Sequence, residues 1–153
     1  MDGRAVTLEL LGTNELEIAY IAGLFDGEGC VAVDRRYLPH NPGLTIEAKI
    51  GITTPAPLYL CQRIFGGKVQ VETRHKGWHD CYRWRIFAKR AEVFFRVVEP
   101  YLIIKKDQAN LAITLSSLRH SKSPLRWKIA EKIASLKLVN QPVNPDEQNG
   151  NQR

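Results

Sequence analysis

The sequence predicts an α+β domain with the order α-β-β-α-β-β-α. A four-stranded antiparallel sheet carries helices on one face. Three observations predict it. Four short segments alternate apolar and polar residues with a period of two. They come in pairs, and a helix-like segment precedes each pair. One side of every strand is apolar while the other is long, polar and rich in hydrogen-bond donors.

The elements follow in chain order. Residues 14–26 read as a helix: Thr13 or Asn14 can cap it, and Glu15 and Glu17 fall in its first turn, where the helix dipole favours acids. Residues 29–37 read as a strand, with Val31 and Val33 on one side and Ala32, Asp34 and Arg36 on the other. The prolines and glycine of YLPHNPG make a loop. Residues 45–53 are the clearest strand: Ile46, Ala48, Ile50 and Ile52 share one face, and Thr45, Glu47, Lys49, Gly51 and Thr53 the other. Thr54-Pro55 opens a helix, with Thr54 as its cap, that stops at Gly66-Gly67. KVQVETR and CYRWRIF are two more alternating strands joined by the hairpin segment HKGWHD. Helices are expected over residues 88–98, 102–118 and 124–138. The domain spans residues 1–138, with its core in 14–138. Residues 139–153, rich in Asn, Gln and Pro, are expected to be a disordered tail.

Composition narrows the function. The chain has 153 residues, 44% hydrophobic and 25% charged, in the range of a single globular domain. No apolar run approaches the ~20 residues of a membrane span, and no basic segment precedes an apolar one as in a signal peptide. Cys30, Cys61 and Cys81 are widely spaced and odd in number, which disfavours a zinc site or a disulfide framework. Reduced thiols in an intracellular protein are the simpler reading. The net charge of +6 is uneven: residues 1–30 hold six acids and one base, and residues 31–138 hold 20 bases and eight acids. Such a basic body points to a polyanion, nucleic acid first and anionic membrane second.

The polar sides of the strands collect Asp34, Arg36, Thr45, Glu47, Lys49, Lys68, Gln70, Glu72, Arg74, Arg83 and Arg85. A solvated sheet face explains the polarity. The frequency of Arg, Lys, Gln and Thr favours base edges and phosphates, and a β-ribbon fits the major groove.

IAGLFDGEG, Ile21 to Gly29, is the least ordinary stretch. A helix end with a glycine cap accounts for one glycine, but the dipole disfavours the acids Asp26 and Glu28 at that end. A carboxylate at an exposed turn beside a basic face can bind a divalent cation.

The stretch resembles the LAGLIDADG motif of homing endonucleases, and the resemblance extends over the element order of residues 14–138. PYLIIKKDQANL, Pro100 to Leu111, is similar to that family's helix after the fourth strand. The resemblance implies a saddle-shaped sheet that binds double-stranded DNA and a Mg²⁺ (or Mn²⁺) site formed by Glu28 with the Gly27 carbonyl. It implies an active-site lysine at Lys105 and a water-ordering residue at Thr54. Glu28 stands where Asp is more frequent in that family. Leu58 stands where a basic residue is frequent, and neither Arg63 nor Lys106 is assigned its place. A single motif implies a homodimer paired through the motif helices, with Ala19, Ala22, Gly23, Gly27 and Asp26 at the seam. It also implies staggered double-strand cleavage at a long pseudo-palindromic target. The compartment would be a prokaryotic cytoplasm or an organelle (chloroplast or mitochondrion). An RNA-splicing maturase or an inactive DNA-binding protein of the same family is the alternative. A basic structural domain is a third reading, and it leaves the motif without a reason.

Overall fold

The computed structural model describes residues 3–36, 43–73 and 75–139. Its elements run α1 (Gly3–Leu11), α2 (Glu15–Glu28), β1 (Gly29–Arg36), β2 (Gly43–Ile52), α3 (Ala56–Phe65), β3 (Lys68–Glu72), β4 (Cys81–Phe87), α4 (Ala88–Val98), α5 (Lys106–Ser117) and α6 (Leu125–Val139). A 3₁₀ turn, Glu99–Tyr101, follows α4. The strands form one antiparallel sheet in the order β1-β2-β4-β3. The predicted α+β architecture and its four strands are therefore present. The predicted tail beyond Val139, most of the YLPHNPG loop, Arg74 and the side chain of Arg36 lie outside the described residues.

The alternating pattern places Val31, Ile46, Ala48, Ile50, Trp84 and Ile86 inward, all essentially inaccessible. The helices cover that side. Phe94 of α4 is the hub of the core, its ring 5.1 Å from Phe25, 5.0 Å from Phe65 and 5.3 Å from Trp84, all edge-to-face. Such pairs add about 0.5–1.5 kcal/mol each to burial of their area. The Trp84 indole donates to the Gly66 carbonyl at 2.9 Å, so its buried N–H is satisfied.

Four local differences from the sequence reading matter. First, α2 runs on to Glu28, so Asp26, Gly27 and Glu28 are helical. Gly29 ends the helix in an extended conformation, and no left-handed cap is present. A Cβ at Gly29 would lie 2.2 Å from the Phe25 ring and 2.6 Å from its carbonyl oxygen, so only glycine lets α2 turn straight into β1. Second, Asn14 rather than Thr13 caps α2, accepting from the Glu17 N–H at 3.0 Å, while the Thr13 hydroxyl donates to Glu17. Third, Thr54 does not cap α3; Pro55 occupies the cap position without a side-chain bond. Fourth, residues 102–105 are not helical, and α5 begins only at Lys106.

Helix α1 is absent from the sequence reading. Arg4 ties it down by pairing with Glu15 at 2.9 Å, donating to the Val97 carbonyl at 3.1 Å and lying 5.3 Å from the Tyr101 ring centroid.

Candidate active site and nucleic-acid face

Asp26 shows why an acid sits at the C-terminal end of α2. Its carboxylate accepts the backbone N–H groups of Ile103, Ile104 and Lys105 at 2.7, 3.2 and 3.0 Å. These lie just before α5, so a charge unfavourable to one dipole is favourable to another. Lys105 answers in kind, its Nζ donating to the Asp26 carbonyl at the negative end of α2. Each residue thus caps the other's helix.

Glu28 ends α2. It is exposed and has no hydrogen-bond or ion-pair partner among the described residues. The carbonyl of Gly27 belongs to the last helical turn, where no following α-helical N–H meets it. An open groove of about 370 Å³ lies beside them, lined by Asp26, Gly27, Cys30, Lys105, Gln108 and Lys137 among others. The donors fit a hard divalent cation, since Mg²⁺ is held by one or two carboxylates with phosphates and water completing the shell. Among the described residues no three His, Cys, Asp or Glu side chains cluster as a closed metal cage.

The sheet's outer face leads to this groove. In register, Lys68 of β3 stands opposite Arg85 of β4, Arg85 opposite Lys49 of β2, and Lys49 opposite Cys30 of β1. Three cations in one row repel one another, an arrangement that folding alone disfavours. The row ends at Cys30, a wall of the groove. The two arginines are not free. Arg85 pairs with Glu47 at 2.6 Å and Arg83 with Glu72 at 2.7 Å. The hydrogen bond from Arg85 to Glu47 raises the Arg85 pKa above its ordinary value. Lys49 and Lys68 have no such partner among the described residues. Asp34, Thr45 and Gln70 share the same outer side.

Thr54 is exposed beyond β2, and no hydrogen bond among the described residues links it to Glu28 or Lys105. Leu58 is wholly buried, so no side chain reaches the groove from that position. Arg63 is engaged elsewhere, donating to Glu17 at 2.7 Å and to the Gly12 carbonyl at 3.0 Å. Lys106 lies 4.0 Å from Glu99.

The proposed seam also divides. Ala22 has no exposed surface and Asp26 is buried, so both belong to the interior of the folded chain. The outward stripe of α2 is instead Leu16, Tyr20, Gly23 and Gly27, spaced by four, three and four, with Ala19 half-buried beside it. A Cβ at Gly23 or Gly27 would meet nothing within 4 Å. Nothing among the described residues requires either glycine, although each costs a helix about 1 kcal/mol relative to alanine. Ile103 and Ile104, joined to the α2 end through Asp26, are 88% and 54% exposed.

No protein-family profile and no curated protein matches the sequence. Solved structures do. The homing endonuclease I-CvuI in complex with its target shares 20% identity over 79% of this chain and 82% of that one, with a TM-score of 0.64. The archaeal intron-encoded homing endonuclease I-Vdi141I, complexed with DNA, shares 14% identity over 88% of this chain and 92% of that one, with a TM-score of 0.67. The fold is that of the homing endonucleases. The LAGLIDADG homing endonuclease I-SmaMI, bound to cleaved DNA, matches with a TM-score of 0.54 and 21% identity; the match covers 86% of this chain but 46% of that one. Within this homing-endonuclease fold, Glu28 ends α2 and the cationic row crosses the open side of the sheet. Sequence reading did not single out Gln108 and Lys137, which also line the groove. Each looks like an ordinary helical polar residue until α5 and α6 are placed.

Proposed function

We propose that the chain is a homodimeric, divalent-metal-dependent endonuclease that makes a staggered double-strand cut at a long pseudo-palindromic DNA site. The observation that carries this reading is Glu28, an exposed carboxylate without a partner at the end of a helix stripe that has no use inside one subunit. The DNA-bound state of several fold neighbours supports it.

Two subunits pairing through Leu16, Tyr20, Gly23 and Gly27 bring two Glu28 carboxylates to one end of the seam, one for each DNA strand. The length relation to I-SmaMI, of which this chain covers 46%, is consistent with two copies making one DNA-binding unit. Each outer sheet face lies in the major groove of a half-site, where Lys49 and Lys68 neutralise phosphate and the Glu47- and Glu72-braced arginines present fixed donor forks. Glu28 and the Gly27 carbonyl would hold Mg²⁺ (or Mn²⁺) near the scissile phosphate. Such an ion supplies charge neutralisation at the phosphate and lowers the pKa of bound water. Lys105 adds a fixed positive charge at the same helix end. Thr54, exposed in the β2–α3 connection, would order solvent. Reduced cysteines fit an intracellular compartment, bacterial or archaeal cytoplasm or an organelle.

The test is incubation with a randomised duplex library in Mg²⁺ and in EDTA. Metal-dependent double-strand breaks at a recoverable sequence are expected. Tight sequence-selective binding without breaks in Mg²⁺ or Mn²⁺ would replace the enzyme by a DNA-binding protein. Binding confined to structured RNA would favour a splicing role.

A further inference from the structure

Gln108 is the third residue of α5 and is 3% exposed. No protein group hydrogen-bonds its side-chain amide among the described residues. The amide is not sealed off, since Arg126 Nε is the one buried side-chain polar atom there that lacks both solvent and a partner. Its small accessible surface opens into the groove that it lines with Gly27, Cys30, Lys105 and Lys137. The one carboxylate on the groove wall, Asp26, accepts three backbone N–H groups and makes no hydrogen bond to the Gln108 amide. A buried amide left without partners is costly, so solvent held in the groove must supply them. That solvent would share the groove with two lysine side chains and lie next to the helix end that carries Glu28.

We propose that Gln108 positions the attacking water for phosphodiester hydrolysis, holding it on its side-chain amide in the groove that Lys105 and Lys137 make cationic. This rests on the endonuclease reading. A scissile phosphate drawn to the two lysines presents its phosphorus to the held water. The water oxygen bonds to phosphorus as the bond from phosphorus to the leaving sugar oxygen breaks. The water's proton passes to solvent, and the leaving oxygen takes one from solvent. The amide offers both an acceptor and two donors, so it can fix the water's orientation without itself ionising. Gln108 is thus a positioning residue.

The test compares the full chain with Gln108→Leu, which removes the water site, and Gln108→Glu, which keeps the shape and an acceptor. The probe is a duplex recovered from the library by wild-type protein. Binding is measured in Ca²⁺ and single-turnover cleavage in Mg²⁺. Gln108→Leu is expected to slow cleavage about 100-fold, the scale of one positioned polar group, with Kd within twofold and melting temperature unchanged. Gln108→Glu should retain cleavage to within about tenfold of wild type. Crystal structures should show an ordered water on the Gln108 amide of the wild type and none at the same place in Gln108→Leu. Wild-type cleavage by Gln108→Leu overturns the proposal, as does a loss of cleavage matched by loss of binding or melting temperature. A held water in a protein that cuts no duplex rejects the endonuclease reading and leaves Gln108 as a solvent site only. A cutting protein with no water there rejects the role of Gln108 alone.

Discussion

Asp26 and Lys105 cap each other's helices across the fold: the Asp26 carboxylate accepts the Lys105 backbone N–H at 3.0 Å, and Lys105 Nζ donates to the Asp26 carbonyl. The bonds join the end of α2 to the start of α5, the two elements that carry Glu28 and Gln108.

The two halves of this clamp differ in what they do. Asp26→Ala strands three backbone N–H groups and should cost about 2–3 kcal/mol in urea unfolding. Lys105→Met removes one bond and keeps most of the stem's packing, so its cost should be about 1 kcal/mol. Its cleavage loss should nonetheless exceed roughly tenfold if its charge acts on the phosphate. Equal stability losses for the two variants would show that the clamp is not organised around Asp26.

Gly23 separates folding from assembly. A Cβ there meets nothing within 4 Å, and valine improves helix propensity over glycine by roughly a few tenths of a kcal/mol. Gly23→Val should therefore keep the circular dichroism spectrum while shifting the proposed dimer to monomer in sedimentation at micromolar concentration. An unchanged dimer would place the seam elsewhere.

The sheet face holds two kinds of cation. Lys49→Ala touches no ion pair and should alter stability by less than about 0.5 kcal/mol. It should lower the slope of log binding constant against log salt by about one. Arg85→Ala does more, because Glu47, with a side chain only 5% exposed, loses its partner. Discounted for the exposed arginine, that cost is about 1–2 kcal/mol. Identical salt slopes for wild type and Lys49→Ala would remove Lys49 from the DNA contact.

Glu92 sets an acid limit. Burial pushes its carboxyl pKa up, but hydrogen bonds from Lys89 and Arg96 outweigh that and hold it below its ordinary value of 4.5. A carboxyl depressed in the folded state stabilises above its unfolded pKa, and that contribution is lost as pH falls through the folded value. Melting temperature should thus drop below about pH 4.5 more steeply in wild type than in Glu92→Gln. Parallel curves would exclude Glu92 as a source of the acid sensitivity.

The strands were legible because a two-residue period survives in β1, β2 and β4 without knowledge of their partners. Their order was not, since the β2–β4 pairing that brings Glu47 to Arg85 joins residues 38 apart. Asp26 was unreadable for the same reason: its acceptor role depends on N–H groups 77 to 79 residues away. Those bonds also explain why residues 102–105 are not helical despite their helix-compatible sequence. Helix α1 has one buried residue, Leu8, and depends on the distant anchors of Arg4, so its own pattern is weak. Glu28 stood out in the sequence because its charge opposes the local dipole, and it is the one acid of the motif that folding leaves without a partner.

The most direct measurement is cleavage and binding of a library-selected duplex by Glu28→Gln. Glu28 is exposed, so the substitution should leave folding intact. Binding in Ca²⁺ within a few-fold of wild type, with double-strand cleavage in Mg²⁺ reduced at least about 1,000-fold, is the predicted result. Wild-type cleavage by Glu28→Gln would contradict the assignment of the active site.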